Sequence, residues 1–232
     1  MNNADLISVI MSTYNNEKSI ESSVNSILNQ TYKNIEFLII DDFSTDNTYE
    51  ILNNLKNTDE RLKIYRKSSN IGLTKSLNKL VAKSSGLFIA RQDADDISLE
   101  FRLQKQIDYI KNKKLDAVTS RAITLQGNKK IPGLSYFFPV KFVMKLKNPF
   151  IHGTLMIKAH IIQEIGYDEE FYYSQDYKLM KDLILNNLKT EIIKTPLYIL
   201  NTQNNISSKF KKEQQYYAHC VKKNIKPVNN LK

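Results

Sequence analysis

Four times between Ile7 and Ile110 the chain repeats one unit: a short apolar run, a polar turn, and a helix-period apolar stripe. The first unit runs from Ile7–Met11 through Ser12-Thr13-Tyr14-Asn15-Asn16-Glu17 to Ile20, Val24, Ile27 and Leu28 at i, i+4, i+7 and i+8. In the second, Phe37–Ile40 leads into Asp41-Asp42-Phe43-Ser44-Thr45-Asp46-Asn47-Thr48 and a helix with Ile51, Leu52 and Leu55. The third pairs Leu62–Tyr65 with Asn70-Ile71-Gly72 and the stripe Leu73, Leu77, Leu80 and Val81. In the fourth, Leu87–Ala90 ends abruptly in Arg91-Gln92-Asp93-Ala94-Asp95-Asp96 before a helix marked by Leu103, Ile107 and Ile110. Strands alternating with helices at this spacing predict an α/β fold: a mostly parallel central sheet, Rossmann-like, with helices on both faces. Its ligand crevice belongs at the strands' C-terminal ends, and three of these polar turns converge there.

The turn after the fourth strand is the most demanding. Three carboxylates within four positions repel one another, so water, Arg91 or a divalent cation must offset them. Asp93 and Asp95 have Asp-x-Asp spacing, which lets two carboxylates approach one metal, and oxygen ligands suit magnesium or manganese. The alternative is a helix cap formed by Asp95-Asp96-Ile97-Ser98. Thr13–Glu17 admits the same two readings, ligand turn or cap. No Gly-x-Gly-x-x-Gly or Gly-Lys-Ser/Thr loop occurs in the first two units, which argues against a dinucleotide cofactor or a P-loop.

Farther on, Ala117–Leu125 predicts a strand, and Lys129–Pro149 is irregular by its prolines and aromatics, suiting an acceptor-side wall, a mobile lid or a packed loop. Phe150–Ile157 reads as a strand with His152 at its start, and Ala159–Ile165 as a helix stopped by Gly166. A helix from Asp176 carries Leu179, Met180, Leu183 and Ile184 inward, with Asp176 as first-turn acid or cap. Lys194–Leu200 completes the sheet. The expected organisation is one domain over residues 1–200 and a basic, helical tail over 201–232.

The 232 residues hold one cysteine, Cys220, which excludes an intrachain disulfide. No window has the length of apolar residues needed to span a bilayer, and the N-terminus lacks a signal peptide's pattern, so the cytoplasm is the expected compartment. Of the net charge of +10, the stretch from Asn201 holds +6, as seven lysines against Glu213. Phe210, Tyr217 and Val221 lie near one helical face among those lysines, which suits peripheral contact with an anionic membrane, packing on the core, or an oligomer contact. Lysine without arginine, and no recognised motif, speak against nucleic acid.

Five blocks in order resemble the family 2 glycosyltransferases of the GT-A fold: Ser8–Asn15 with Glu17, Ile39–Thr48, Asn70–Leu73, Arg91–Asp96, and His152 through Asp176-Tyr177-Lys178-Leu179. The resemblance covers roughly residues 5 to 185. It implies an inverting, non-processive transferase moving one sugar from a nucleotide-diphosphate sugar, a UDP-sugar foremost, to a hydroxyl of a glycan or lipid-linked acceptor in lipopolysaccharide or capsule synthesis. By the same resemblance Thr13, Tyr14, Asn15, Asp41 and Asp42 would hold base and ribose, with Glu17 supporting them. Arg91 would face the nucleotide, Asp93 would bind ribose or the metal shell, Asp95 would ligate Mn2+ or Mg2+, and Asp176 would be the catalytic base. His152 is a further candidate for metal or phosphate, with a structural role as the alternative. Three departures stand out: Phe43 where the family commonly has glycine, Gln175 where a glutamate often precedes the base, and no Gln-x-x-Arg-Trp motif. The rival readings are a nucleotidyltransferase and a non-catalytic adaptor of the same fold.

Overall fold

A computed structural model describes residues 5–127, 129–203 and 210–228. Its sheet has the strand order β3-β2-β1-β4-β8-β6-β9-β5, with β7 paired to β6. The parallel half is β1 (Ile7–Thr13), β2 (Ile35–Asp41), β3 (Leu62–Arg66) and β4 (Phe88–Arg91), with β1 in the middle between β2 and β4. Helices α1 (Ile20–Leu28), α2 (Thr48–Lys56) and α3 (Leu73–Lys83) make the crossovers, as the repeated unit predicts.

Strands β1, β2 and β4 are largely apolar because helices cover both faces, whereas the edge strand β3 carries the exposed Lys63 and Arg66. Val9, Met11, Phe37 and Ile39 point into one core with α1 and with α4 (Arg102–Lys113). Ile10, Leu38 and Ile40, one position out of phase, point into the other core with α3, α6 (Ala159–Ile165) and α7 (Gln175–Leu185). The period of two in side-chain direction thus feeds two cores from one strand.

Beyond β4 the sheet is mixed. Strand β8 (Met156–Lys158) runs antiparallel to both β4 and β6 (Ala117–Thr124), whereas β9 (Thr190–Leu200) is parallel to β6. The two-residue strands β5 (Ile97–Ser98) and β7 (Lys130–Ile131) close on β9 and β6. Strand β9 begins four residues before the Lys194 expected from sequence. Its register against β6 shifts where Pro196, which has no amide to donate, meets Arg121.

One expectation is corrected, and of the readings open for the tail helix, packing on the core holds. The stretch from Phe150 is not one strand: His152–Thr154 forms a 3-10 turn, and only Met156–Lys158 pairs. Thr154 closes that turn by donating both its amide and its hydroxyl to the Ile151 carbonyl, at 3.0 and 2.8 Å. The tail helix α8 (Lys211–Lys223) does not present its apolar stripe outward, because Tyr217, Cys220 and Val221 are buried in the same core as α3 and α7. Lys181 of α7 donates to the Val221 carbonyl near its end, and Ser174 donates to Gln214. Residues 204–208 of the polar stretch before it, and 229–232 at its far side, lie outside the described residues.

Between β7 and β8, a 3-10 turn (Leu134–Phe137) and the short helix α5 (Val140–Val143) are tied down rather than loose. Arg121 Nε donates to the Pro132 carbonyl at 3.1 Å, and the Tyr177 hydroxyl donates to the Met144 carbonyl.

Candidate active site

Strand register sets the site's floor. Thr13 at the end of β1 lies opposite Asp41 at the end of β2, and Ile10 lies opposite Arg91 at the end of β4. The chain therefore leaves three neighbouring strands on one edge of the sheet.

The turns after β1 and β2 are laced together. Asn15 accepts the Thr45 amide at 2.8 Å and donates its own amide to Ser44 Oγ at 3.0 Å. Asn16 donates its amide to Thr48 Oγ1 at 2.8 Å and its side-chain amide to Thr13 Oγ1 at 3.0 Å. Glu17 accepts both the backbone and side-chain N–H of Asn47, at 3.1 and 3.0 Å. Asp41 and Asp42 are buried and committed to the backbone. Asp41 accepts the Ser44 amide and pairs with Arg66 at 3.4 Å, while Asp42 accepts the amides of Ile71 and Gly72 at 3.0 and 2.8 Å. This wall exposes the side chains of Tyr14, Asn15, Phe43, Thr45 and Asn47. Phe43 stands at φ +71°, so the left-handed turn is present although the residue is not glycine.

The acidic loop after β4 is anchored from below. Ser23 Oγ donates to the Asp93 carbonyl at 2.8 Å and Ser19 Oγ to the Ala94 carbonyl at 3.1 Å, binding the loop to α1. Arg91 is 1% exposed, and its Nη2 donates to Asp93 Oδ1 at 2.6 Å, while its buried Nε has no partner among the described residues. Arg91 thus reaches the crevice by orienting Asp93. Asp95 accepts its own backbone amide, and burial, followed by the neighbouring Asp93 charge, pushes its carboxyl up to about 6. Asp96 is buried at the loop's end; it accepts the Asn201 amide at 2.6 Å, and burial followed by Asp93 and Asp95 pushes it up to about 8.

The other side of the site comes from the His152 turn and α7. His152 Nε2 and the Tyr167 hydroxyl share a hydrogen bond of 2.8 Å, and burial followed by the Arg91 charge pushes the imidazole down to about 3, so it is neutral. Asp176 lies in the first turn of α7, after Ser174 at φ +56°. Its Oδ2 accepts the Asn148 side-chain amide at 2.8 Å, and burial raises its pKa, with a further rise from Asp93. Asp93 and Asp176 thus feel one another's charge. The sequence-predicted residues form two groups, Thr13 to Asp42 on one side and Arg91, Asp93, Asp95, His152 and Asp176 on the other.

Several residues that shape the site escaped the sequence reading. Tyr198 on β9 accepts the Asp93 amide at 3.0 Å and donates to the Asp96 carboxylate. Gly153 leaves room for both: a Cβ there would lie 2.6 Å from Asp93 Oδ2 and against the Tyr198 hydroxyl. Arg102 is fully buried under the loop, donating to Gln92, Ser98, Gln106 and the Arg91 carbonyl, with its guanidinium over the Tyr198 ring at 5.1 Å. Gln92 and Gly153 stand beside residues the resemblance singled out; Tyr198, Arg102 and Asn148 carried no local signal.

The residues fit a divalent cation. Among the described residues no group of three or more His, Cys, Asp and Glu side chains could hold a metal ion by itself. Magnesium-type sites commonly take one or two carboxylates and complete their shell with substrate phosphates and water, and Asp95 and Asp93 could supply such a pair.

The profile described as "Glycosyl transferase family 2" matches residues 8–181. The chain belongs to that family. An uncharacterized glycosyltransferase of Methanocaldococcus jannaschii is 34% identical over 229 residues, 94% of this chain and 78% of its own. The O-antigen biosynthesis glycosyltransferase WbnJ of Escherichia coli is 38% identical over 183 residues, 75% of this chain and 70% of its own. Among solved structures, Staphylococcus aureus TarS 1–349 in complex with UDP-GlcNAc superposes with a TM-score of 0.73 at 22% identity over 86% of this chain. A Pyrobaculum calidifontis mannosyltransferase in complex with GDP-Man and Mn2+ gives 0.70 at 17% over 91%. This chain spans 59% and 61% of those two, and they establish the GT-A fold of the transferase. Among the described residues, no helix of the transferase is long and apolar enough to cross a membrane.

Proposed function

We propose that this glycosyltransferase is an inverting, metal-dependent enzyme that moves one sugar from a UDP-sugar to an acceptor hydroxyl in the synthesis of a cell-surface glycan. The observation that carries the reading is the position of Asp176: a partly buried carboxylate, oriented by Asn148 and close enough to Asp93 to feel its charge. Inversion needs one base on the side of the anomeric carbon away from the leaving group, within reach of the acceptor hydroxyl. Asp176 takes the proton from that hydroxyl as its oxygen bonds to the anomeric carbon and the bond to the nucleoside diphosphate breaks. Its raised pKa makes it a stronger base than a solvated carboxylate.

The donor lies along the Tyr14, Asn15 and Phe43 wall, with Thr13, Asp41, Asp42 and Glu17 fixing the wall's shape from below. Asp93 and Asp95 would hold the cation, and a bound Mn2+ or Mg2+ would supply positive charge where the leaving diphosphate develops negative charge. Binding of UDP-GlcNAc by a protein of the same fold, and the O-antigen role of a relative, support the donor and the surface-glycan assignment. The test is a screen of UDP-sugars with simple glycoside acceptors and the wild type and Asp176→Asn. A product of inverted anomeric configuration, formed by the wild type and lost in the variant, supports the reading. A retained configuration, or undiminished transfer by Asp176→Asn, removes Asp176 as the base.

A further inference from the structure

The segment from Lys129 to Pro149 has five lysines and no acid, and it carries an apolar surface that the active site does not use. Leu134 is 82% exposed, Phe137 68% and Leu146 63%, and Phe138 and Phe142 are more than half exposed. The segment divides its residues by face. Val143 and Met144 are buried in the protein, while Phe142 and Leu146, four positions apart on turns continued by the Leu146 and Lys147 amides, stand outward. Lys141, Lys145 and Lys147 are exposed between them. The surface is held in shape by Arg121 on Pro132, by Arg121 stacked over Tyr136 at 5.2 Å, by Tyr177 on Met144, and by Asn148 on Asp176. Lys222 of α8 donates to the Leu146 carbonyl at 3.4 Å and adds another exposed cation at its border.

We infer that this surface docks the transferase on an anionic lipid bilayer, with the phenylalanines and leucines entering the interface and the lysines meeting the headgroups. Aromatic and aliphatic side chains ringed by lysine are the composition of an interfacial anchor. A second copy of this chain fits poorly, because a two-fold contact would set five lysines against the same five with no acid to pair them. Lysine is also depleted in protein–protein interfaces. The membrane face is therefore this segment and not the apolar stripe of α8, which the core covers. Since Asn148 of the same segment holds Asp176, docking puts the base at the bilayer surface, where a lipid-linked acceptor would present its hydroxyl; that clause rests on the proposed function, and the docking itself does not.

The experiment is co-sedimentation of the full chain with vesicles of phosphatidylcholine alone and with added phosphatidylglycerol, at low and high salt. The expected result is binding that requires the anionic lipid and weakens with salt. Replacing Lys141, Lys145 and Lys147 together by Gln lowers it about 100-fold, and Phe137→Ser with Phe142→Ser lowers it as well. The Lys211→Gln, Lys212→Gln variant on α8 binds as the wild type does. Circular dichroism melts confirm that each variant folds. Binding equal for both lipid compositions, or variants on the segment that bind like the wild type, would overturn the inference. So would a dimer in light scattering that Phe142→Ser abolishes. UDP binding measured on the same preparations separates a failure of docking from a failure of the donor site.

Discussion

Asn148 donates its side-chain amide to Oδ2 of Asp176 at 2.8 Å, so the proposed base takes its orientation from a segment 28 positions earlier in the chain. Asp176→Asn keeps an acceptor for that bond and removes the base. It is expected to lower kcat by about 10²- to 10⁴-fold while UDP affinity, measured by calorimetry, stays as in the wild type. The same variant gains stability. Burial raises the Asp176 pKa above 3.8, so the native state binds its proton more tightly than the unfolded chain does. Stability therefore falls as pH rises from 3.8 through the native pKa and stays lower beyond it. Thermal melts should show Asp176→Asn more stable at pH 7, with the gain lost in acid below 3.8.

Asn148→Ala takes away a hydrogen bond that favours the carboxylate. The pKa of Asp176 rises further, and the acidic limb of the kcat/KM profile, already above the ordinary carboxylate value, moves to higher pH. A pH–rate series on both proteins checks this; superimposable limbs would mean that another group sets them.

Gly153→Ala drives a methyl group into Asp93 Oδ2 and the Tyr198 hydroxyl. The expected cost is about 1–3 kcal/mol in urea unfolding, typical of overpacking, together with weaker metal-dependent UDP binding because Asp93 is displaced.

Phe43 occupies a left-handed turn with an exposed ring on the donor wall. Non-glycine residues there carry strain of roughly 1 kcal/mol, and strain retained at a site points to use of the side chain. Phe43→Gly is expected to leave the melting temperature unchanged or higher and to weaken UDP binding, which paired melts and titrations would show.

The parallel half of the fold was legible because its inner strands are apolar on both faces, as Ile10 and Val9 illustrate, and each crossover helix shows its stripe, as Leu77 and Leu80 do. The acidic loop was legible too, since Asp93 and Asp95 stand at a strand end where their charge needs a purpose. Arg102 was not. A charge beside the Leu103 stripe reads as solvated, and burial was made tolerable only by acceptors from Gln92, Ser98, Gln106 and the Arg91 carbonyl, which folding brings together. Tyr198 and Gly153 meet 45 positions apart, a distance no local pattern spans. The stripe of α8 was visible in the sequence, but amphipathicity does not say what covers the apolar face, and here the core does. The outward phenylalanines of the Lys129–Pro149 segment follow no helical or strand period and read only as irregular.

On the proposed function, Asp95 with Asp93 completes a metal-assisted nucleoside diphosphate site. Calorimetric titration of UDP into the full chain, with and without Mn2+, on the wild type and on Asp95→Ala, tests it most directly. The expected result is tight binding for the wild type with Mn2+, much weaker binding without it, and equally weak binding by Asp95→Ala in either condition. UDP binding that is indifferent to both Mn2+ and Asp95, or no binding by a folded wild type, would contradict it.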